Sequence, residues 1–354
     1  MNSTPVARRR GLSASLGLGE KLFSSAEERR FAAAIEDGLE KVEHGLAEQF
    51  GYADALADTT SRYLFEAGGK RIRPTLALLT AQLGEGTTDD VLTGAKAVEI
   101  THLASLYHDD VMDDADLRRG VPSAQTVWGN SVAILTGDLL FARAAALVAE
   151  LGTETVRLQA LTFERLCLGQ LHETVGPQGD EDAVAHYIQV LADKTGSLIA
   201  AAAEIGVLHS GAPQHYRSAV TEFGERIGVA FQLIDDVIDL SAETGKTGKS
   251  AGTDLRAGVS TLPLLYLRRE APTDAASAEL LARIEQSAAD DSDAGGVAFA
   301  AAIAELRDHR VTAQTRAEAQ RWADDAVAAL APLPEGPVKK ALTKFAEAVV
   351  TRSN

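Results

Sequence analysis

Two copies of the acidic pattern Asp-Asp-x-x-Asp, each embedded in apolar residues at helical spacing, constrain this chain more than any other feature. The first copy lies in HDDVMDD and the second in FQLIDDVIDL. The six carboxylates belong to Asp109, Asp110, Asp113, Asp235, Asp236 and Asp239. Residues four apart on a helix lie on one face about one turn apart. Each triplet therefore directs two or three like charges to one place.

Like charges this close repel each other unless a cation lies between them. Hard divalent cations bind through oxygen, and Mg²⁺ in particular prefers one or two carboxylates together with phosphate oxygens. We therefore predict that the six aspartates form a magnesium site. If the two triplets face each other, this site would receive a phosphorylated ligand, and their helices would have to meet in one domain.

The apolar composition favours helices. Hydrophobic residues make up 45% of the 354 residues but aromatic residues only 5%, and a core of Ala, Leu, Val and Ile is typical of closely packed helices. Apolar residues recur three and four apart through most of the chain, without sustained alternation. We predict an all-α fold of about ten to thirteen helices in a single domain over residues 25–354, after a flexible tail over residues 1–24. Continuous helices are expected over 92–115, 182–205 and 314–350.

Charge and cysteine content restrict the partners and the compartment. A net charge of -17 argues against nucleic acid, whose phosphates require clustered Lys and Arg. No window has the ~18 apolar residues of a membrane span, so we expect no membrane protein. The single cysteine, Cys167, excludes an intramolecular disulfide and fits a reducing cytoplasm. We expect its side chain to be a small buried hydrophobic group.

Despite the acidic balance, basic residues cluster near both triplets. Arginine's planar fork binds phosphate oxygens in pairs, whereas lysine acts as a point charge. Paired glycines in GGKRIRP let the backbone bend and approach a ligand closely. The candidate phosphate-binding residues are Lys70, Arg71, Arg73, Arg118, Arg119, Lys194 and Lys249.

Other polar residues share the helical faces of the triplets. At 100° per residue, His102 and Ser105 lie on the same stripe as Asp109. Gln232 lines up in the same way with the second triplet. His108 directly precedes the first triplet, but we interpret it as a structural neighbour and not as a catalytic base.

The chain resembles the trans-isoprenyl diphosphate synthases, the polyprenyl synthetase family. The motifs that carry this resemblance occur in the family's order: GGKRIRP, HLASLYHDDVMDDADLRRG, KTGS, FQLIDDVIDL and GKSAGTDL. The resemblance covers about residues 25–350. It implies an all-α isoprenoid synthase fold around a deep central cavity, usually in a homodimer. It also implies Mg²⁺-dependent condensation of isopentenyl diphosphate with an allylic diphosphate, and transient membrane contact on product release.

The resemblance also implies a role for each matching residue. Asp109 and Asp113 would bind two Mg²⁺ ions on the allylic diphosphate and Asp235 a third, with the other three aspartates in support. The residues that would hold that diphosphate are Arg118, Lys194, Gln232 and Lys249, with Thr195 beside the reacting carbons. The isopentenyl diphosphate pocket would comprise Lys70, Arg71, Arg73, His102 and Arg119, with Phe231 over the double bond. Glu173 would be a further acid near the metals, and Val259 replaces a lysine that the family often has.

Product length is predicted from two small residues. The growing chain would run from the aspartates towards the N-terminus of the first acidic helix, where the resemblance to the family implies that a bulky residue four or five positions before Asp109 would block it. Ser105 and Ala104 occupy these positions, so we predict a long-chain product of about seven to ten isoprene units. The alternative is a geranylgeranyl or farnesyl diphosphate synthase with a deeper floor, for which the candidates are Phe141, Leu151, Leu161 and Phe163.

Two other readings remain open at this point. A class I terpene cyclase also uses Asp-Asp-x-x-Asp, but its second motif differs and it needs no isopentenyl pocket. A catalytically silent subunit of a heteromeric synthase is the alternative from another class. Such subunits usually lose acidic-motif residues, whereas all six aspartates are present here.

Overall fold

The structure is a computed structural model that describes residues 25–241, 251–290 and 292–352. The expected tail over residues 1–24 and the candidate residue Lys249 lie outside these ranges. In chain order, the α-helices in the described ranges are α1 (Ala26–Gln49), α2 (Ala55–Glu66), α3 (Ile72–Ala81), α4 (Asp89–Met112), α5 (Ala124–Trp128), α6 (Asn130–Glu150), α7 (Thr153–Val175), α8 (Ala183–Leu191), α9 (Ser197–His209), α10 (Arg217–Asp239), α11 (Thr253–Arg256), α12 (Leu262–Glu270), α13 (Ala275–Ala288), α14 (Asp293–Asp308), α15 (Arg310–Ala329) and α16 (Pro337–Thr351).

The all-α prediction is confirmed. The described residues contain two strands of two residues each, β1 (Leu117–Arg118) and β2 (Val121–Pro122), which pair as an antiparallel hairpin. The helices outnumber the ten to thirteen expected because two segments predicted to be continuous are divided and because the short helices α5 and α11 were not predicted. A π-helical turn (Ala192–Gly196) separates α8 from α9. Pro332 and Pro334, which lack the N–H that a helix interior needs, lie between α15 and α16.

Local sequence determines where the first acidic helix begins and ends. The Thr88 hydroxyl accepts a hydrogen bond from the backbone N–H of Val91 at 3.1 Å, which caps the N-terminus of α4. The helix ends at Met112, three residues earlier than predicted. Asp114 lies in the left-handed region at φ 48°, a conformation that cannot continue a right-handed helix.

The described residues divide into two compact units. The first comprises residues 25–163, Leu198–Gly224 and Ala329–Ala348, and the second comprises Glu164–Ser197, Glu225–Ala328 and residues 349–352. The first triplet belongs to the first unit and the second triplet to the second. The single domain over residues 25–354 and the facing of the triplets therefore stay predictions.

The core of the first unit depends on small residues. Helix α3 is buried along its length from Pro74 to Ala81. A Cβ built on Gly206 of α9 would lie only 2.2 Å from the carbonyl oxygen of Ala77. The Thr80 hydroxyl donates to the Ala203 carbonyl at 2.8 Å. Helices α3 and α9 therefore pack with their backbones in near contact, as a core poor in aromatic residues allows.

The core of the second unit is mainly aliphatic. Leu233 and Val229 of α10 are fully buried against residues of α12, α13 and α14. The partners from these three helices are Leu262, Leu264, Tyr266, Leu267, Leu280, Ile284, Phe299, Ala302, Ile303 and Leu306. This packing fixes the orientation of α10, the helix that carries the second triplet.

Helix α6 is the one helix in the described ranges that is long and apolar enough to cross a membrane by length and composition. Its most apolar 18-residue window is 39% buried, and core helices of soluble proteins meet the same criterion. Asp138 and Arg143 interrupt its apolar run. The observation therefore weighs little against the prediction of no membrane span.

Cys167 lies on an exposed face of α7, so the expectation of a buried thiol is wrong. Its neighbours Leu168 and Leu171 are also exposed, at 41% and 55%. The local apolar sequence suggested burial, but this face of the helix is turned outward.

We predict that Gly206→Ala destabilises the protein by about 1–3 kcal/mol, because the added methyl group meets backbone and not a movable side chain. Gly296→Ala in α14 is the control, since a Cβ there meets nothing within 4 Å and alanine favours a helix by up to about 1 kcal/mol. Urea denaturation measures both. Equal midpoints for Gly206→Ala and the unsubstituted protein would contradict this prediction, because they would show that α9 can shift to make room for the methyl group without loss of stability.

Candidate active site

The outer aspartates of the first triplet lie on one helical face. Asp109 is half-buried and Asp113 is exposed. The backbone N–H of Asp113 donates to the carbonyl of Asp109 at 2.8 Å, so the helical path continues one residue past Met112. Both carboxylates are therefore on the same side of α4, one turn apart.

The middle aspartate of this triplet has a different environment. Asp110 is fully buried, and Arg118 of the β1–β2 hairpin donates from Nε to its Oδ1 at 2.6 Å. Burial raises the pKa of Asp110, and the Arg118 guanidinium opposes this shift. Oδ2 of Asp110 has no hydrogen-bond partner among the described residues. This ion pair holds Arg118 against the middle aspartate of the first triplet.

The GGKRIRP segment bends sharply before α3. Gly68 and Gly69 have φ angles of 97° and 152°, and Arg71 has φ 51°. A Cβ on Gly69 would lie 2.6 Å from the Arg71 guanidinium and 3.1 Å from that of Arg119. The positive φ favours glycine here, whereas the guanidinium groups near Gly69 are the ends of flexible side chains that could move aside. Lys70, between Gly69 and Arg71, is exposed.

Two arginines of the predicted isopentenyl pocket are held by protein groups. Arg71 donates to Glu43 at 2.8 Å and to Glu99 at 3.2 Å, and Glu99 is only 2% exposed. Arg119 donates to the carbonyls of Leu64, at 2.8 Å, and of Gly68. The structure therefore gives Arg71 an ion-paired environment, and its predicted contact with substrate stays a prediction.

The residues of the predicted isopentenyl pocket (Lys70, Arg71, Arg73, His102 and Arg119) form a basic cluster. Its positive charge is least neutralised by protein groups around Arg73 and His102. Nε of Arg73 is buried without a hydrogen-bond partner among the described residues, and burial lowers the pKa of Arg73 to about 10. Burial, then the charges of Arg73 and Arg119, hold the pKa of His102 well below its usual value. A neutral imidazole beside several guanidinium groups suits a bound anion.

Below the triplet, α4 packs closely on α6. A Cβ on Gly137 would lie 2.3 Å from the His108 ring and 3.2 Å from the carbonyl oxygen of Ala104. Nε2 of His108 lies 2.9 Å from the carbonyl oxygen of Ile134, which agrees with its interpretation as a structural neighbour. Ala104 is fully buried, whereas Ser105 is half-buried. The two small residues are therefore not equivalent.

One of the candidate floors lies beside this contact. The rings of His108 and Phe141 are 5.5 Å apart, and those of Phe141 and Phe163 are 4.5 Å apart. Phe163 is 38% exposed and Leu161 is 50% exposed. Leu151, directly after α6, lies near Gly94 of α4, where a Cβ would be 3.6 Å from its side chain. These positions leave the choice of floor open.

In the second triplet, too, the middle aspartate turns towards protein. The Tyr187 hydroxyl lies 2.9 and 2.8 Å from the two carboxylate oxygens of Asp236, and the backbone N–H of Leu262 donates to Oδ2 at 3.2 Å. Burial raises the pKa of Asp236 to about 8. Asp236 therefore ties α8, α10 and α12 together.

The outer pair of the second triplet is more accessible. Asp235 and Asp239 are half-buried, four residues apart on α10. The Arg352 guanidinium lies 3.1 Å from Asp235 and 4.3 Å from the centre of the Phe231 ring. Asp239 accepts a hydrogen bond from the backbone N–H of Asp254 at 3.3 Å.

Lys194 and Thr195 lie in the π-helical turn and not in a regular helix. Nζ of Lys194 donates to Glu173 at 2.5 Å, so the second unit brings together two residues that are 21 positions apart. Gln232 is half-buried one turn before the second triplet, and Val259 is 37% exposed.

The donors fit divalent metal ions bound through oxygen. Each outer pair offers two carboxylates at helical spacing, while the middle aspartates are engaged elsewhere. A different group in the described ranges, Glu270, Asp274 and His309, also has metal-ligand geometry. There the Arg310 guanidinium lies 2.8 and 2.9 Å from the two carboxylates, which neutralises them as an ion-pair network.

Several residues of the site gave no signal in the sequence. Tyr187 lies in an apolar helix without a motif, Glu99 lies on α4 outside the acidic motif, and Arg352 lies beyond the last helix. Glu43 is one of many charged residues on α1. These residues can be identified only in the folded chain, which brings each of them next to a motif residue.

Known proteins resemble this chain over most of its length. The polyprenyl synthetase family matches residues 54–297. Nonaprenyl diphosphate synthase of Mycobacterium tuberculosis is 42% identical over 323 residues, which are 91% of this chain and 94% of the relative. A polyprenyl synthase from Caulobacter crescentus, solved with calcium and isoprenyl diphosphate, has a TM-score of 0.82 and 31% identity over 92% of this chain and 98% of its own.

A geranylgeranyl pyrophosphate synthase from Corynebacterium glutamicum, also solved with calcium and isoprenyl diphosphate, has a TM-score of 0.79 and 39% identity, covering 93% and 98% of the two chains. The chain belongs to the polyprenyl synthetase family. The prediction of this family, with its all-α isoprenoid synthase fold and prenyltransferase class, is confirmed. The relatives also indicate use of a divalent metal.

The environment of His102 leads to a prediction about pH. Its pKa in the folded protein lies well below the ordinary 6.5, so below pH 6.5 the unfolded chain binds a proton that the folded one does not. Stability is therefore lost as the pH falls below 6.5, by at most about 1.4 kcal/mol per pH unit from this group.

His102→Gln removes this contribution, so its free energy of unfolding will fall less steeply between pH 6.5 and 5 than that of the unsubstituted protein. Urea denaturation across this range measures the slopes. His44→Gln, at an exposed histidine of α1, is the control and will follow the unsubstituted protein. Parallel slopes for His102→Gln would contradict the assignment.

Proposed function

We propose that the protein condenses isopentenyl diphosphate head-to-tail with an allylic diphosphate to give an all-trans polyprenyl diphosphate of about seven to ten units. The observation that carries the proposal is that, in both triplets, the middle aspartate has a different environment from the two outer ones. In both, the outer carboxylates are at least partly exposed at helical spacing, whereas the middle one is buried. Family membership and the long-chain relative support the same conclusion.

In this proposal the cofactor is Mg²⁺, with three ions on the allylic diphosphate. Asp109, Asp113 and Asp235 would hold them, and when bound they would stabilise negative charge on the leaving diphosphate. Arg118 is held at the first triplet by its ion pair with Asp110, and Lys194 is paired with Glu173, with which a diphosphate would compete. Both side chains would bind the oxygens of that leaving group.

The second substrate would lie in the basic cluster of the first unit. Arg73, Arg119 and neutral His102 would bind isopentenyl diphosphate without a metal, which orients its double bond for attack on the allylic carbon. A site closed to water prevents hydrolysis of the allylic cation. The new bond forms between the allylic carbon and the terminal carbon of the double bond, and the departing diphosphate would accept the proton that is lost.

We infer that the protein works as a homodimer in the cytoplasm, with transient membrane contact when the apolar product leaves. Helix α7 supports the dimer. Leu161, Leu168, Leu171 and Val175 are 50%, 41%, 55% and 57% exposed. Their spacings of seven, three and four residues form one apolar stripe of the coiled-coil type, which a second copy would cover.

Incubation with labelled isopentenyl diphosphate, an allylic primer and Mg²⁺, followed by product chromatography, tests the activity. We expect Asp109→Asn and Asp235→Asn each to lower turnover by about 10²-fold or more, because each removes charge from the leaving-group site. Asp114→Asn is the matched control. It is exposed and has a left-handed backbone that asparagine tolerates, and it will keep its turnover.

No turnover with any allylic primer would refute the proposed activity. Full turnover in both Asn variants would refute the role of the triplets. Full turnover with a geranylgeranyl product would support the proposed reaction but contradict the long-chain product. That geranylgeranyl alternative is the one that the Corynebacterium structure favours.

Ser105 gives a sharper test of chain length than Ala104. Ala104 is fully buried, so a phenylalanine there overpacks the α4–α6 contact at a cost of about 1–3 kcal/mol. Ser105 is half-buried and leaves more room. Ser105→Phe will shift the products to shorter chains while the stability stays similar. Ser105→Ala will leave the product lengths unchanged. An unchanged product distribution in Ser105→Phe would show that the chain does not pass this residue.

A further inference from the structure

One stripe of α7 faces the π-helical turn that carries Lys194 and Thr195. Arg165, Gly169 and Glu173 are four residues apart, so they follow one side of the helix. Each contacts the turn or the residue directly before Lys194. All of these residues belong to the second unit.

Arg165 makes the strongest of these contacts. Its Nε donates to Asp193 at 2.6 Å and its Nη1 donates to Glu225 at 2.6 Å, while Nη2 lies 3.4 Å from the Ala192 carbonyl. Charge-assisted hydrogen bonds of this length are about twice as strong as neutral ones. The guanidinium thus joins the π-helical turn to α10.

Both carboxylate oxygens of Asp193 accept hydrogen bonds. Gln189 donates to Oδ2 at 2.8 Å, opposite the bond from Arg165 to Oδ1. The Ser197 hydroxyl donates to the backbone carbonyl of Asp193 at 2.6 Å. The residue is only 7% exposed, so the backbone directly before Lys194 has little freedom.

The turn also packs against backbone on two sides. A Cβ on Gly169 would lie 2.8 Å from the backbone nitrogen of Lys194, and a Cβ on Gly196 would lie 2.8 Å from the carbonyl oxygen of Glu225. A π-helical turn is rare and needs support from its surroundings. Here the support comes from Arg165 and from the two glycines that admit neighbouring helices.

We propose that Arg165 is a positioning residue, which through Asp193 holds the π-helical turn so that Lys194 is presented to the allylic diphosphate. This inference rests on the proposed function, because it assigns Lys194 to that substrate. In this proposal Arg165 acts through Asp193 and not by direct contact with substrate. Glu173 completes the arrangement by directing the Lys194 ammonium at 2.5 Å.

A positioning role and a purely structural role predict different behaviour in a double-mutant cycle. If Arg165 acts through Lys194, its loss matters only while Lys194 is present. If Arg165 merely stabilises the fold, its loss lowers function by the same factor in both backgrounds.

The experiment compares Arg165→Met, Lys194→Ala and the double variant. Two readouts are steady-state turnover and calorimetric binding of inorganic diphosphate in the presence of Mg²⁺. Arg165→Met will raise the KM for the allylic diphosphate, and the Kd for diphosphate, by about tenfold or more, the effect of one misplaced charge-assisted hydrogen bond. The KM for isopentenyl diphosphate will stay within about twofold.

In the Lys194→Ala background, Arg165→Met will change both quantities by less than about twofold. Arg165→Lys will recover only part of the loss, since one ammonium cannot replace the fork that reaches both Asp193 and Glu225. The matched control is Arg226→Met on α10. Arg226 has 33% exposure against 34% for Arg165 and pairs with Asp325 at 3.3 Å, and its substitution will leave KM unchanged.

Equal factors in the two backgrounds, or equal losses for both substrates, would overturn the proposal. If Arg165→Met does not fold, Arg165→Lys and Glu225→Gln give the same comparison. The failure of the proposed function is distinguishable, because the unsubstituted protein would then show no condensation. The diphosphate binding cycle would still report on the link between Arg165 and Lys194.

Discussion

Carboxylates one turn apart on a helix repel each other. Both triplets must therefore be stable against this repulsion before any ligand binds. The structure limits it by removing the middle charge from the cluster. Asp110 is buried against Arg118, and Asp236 is buried against Tyr187 and the Leu262 backbone. Each helix therefore presents two carboxylates where its sequence contains three. The accessible pairs keep a geometry suited to cations shared with phosphate oxygens.

The basic cluster of the first unit solves the opposite problem. Several arginines lie near one another, and protein carboxylates neutralise only some of them. Arg71 is paired with Glu43 and Glu99, whereas the Nε of Arg73 has no partner in the described ranges. Folding thus retains unbalanced positive charge beside a neutral imidazole. Such a cluster costs stability in the empty protein and recovers it when an anion binds.

Much of this could be predicted from the sequence because the decisive features are local. The triplets, the paired glycines and the apolar periodicity lie within single segments, so they predicted the helices, the family and the all-α fold. The division within each triplet could not be predicted, since it depends on Tyr187 and Leu262, 49 and 26 positions away from Asp236. Cys167 was misjudged for a similar reason, because burial depends on which helix face is turned inward.

The π-helical turn has a consequence for how this segment tolerates change in length. A turn with i→i+5 bonding holds one residue more than the α-helical path around it. Deleting a single residue from Ala192–Gly196 would remove this extra residue and restore regular α-helical winding, so the helices on either side would keep their relative rotation. The run from Leu198 to Val207, in which every residue is buried, would keep its packing, whereas Lys194 and Thr195 would lose their positions in the wide turn. Insertions and deletions should therefore accumulate in the loops that flank α8 and α9 and spare these five residues.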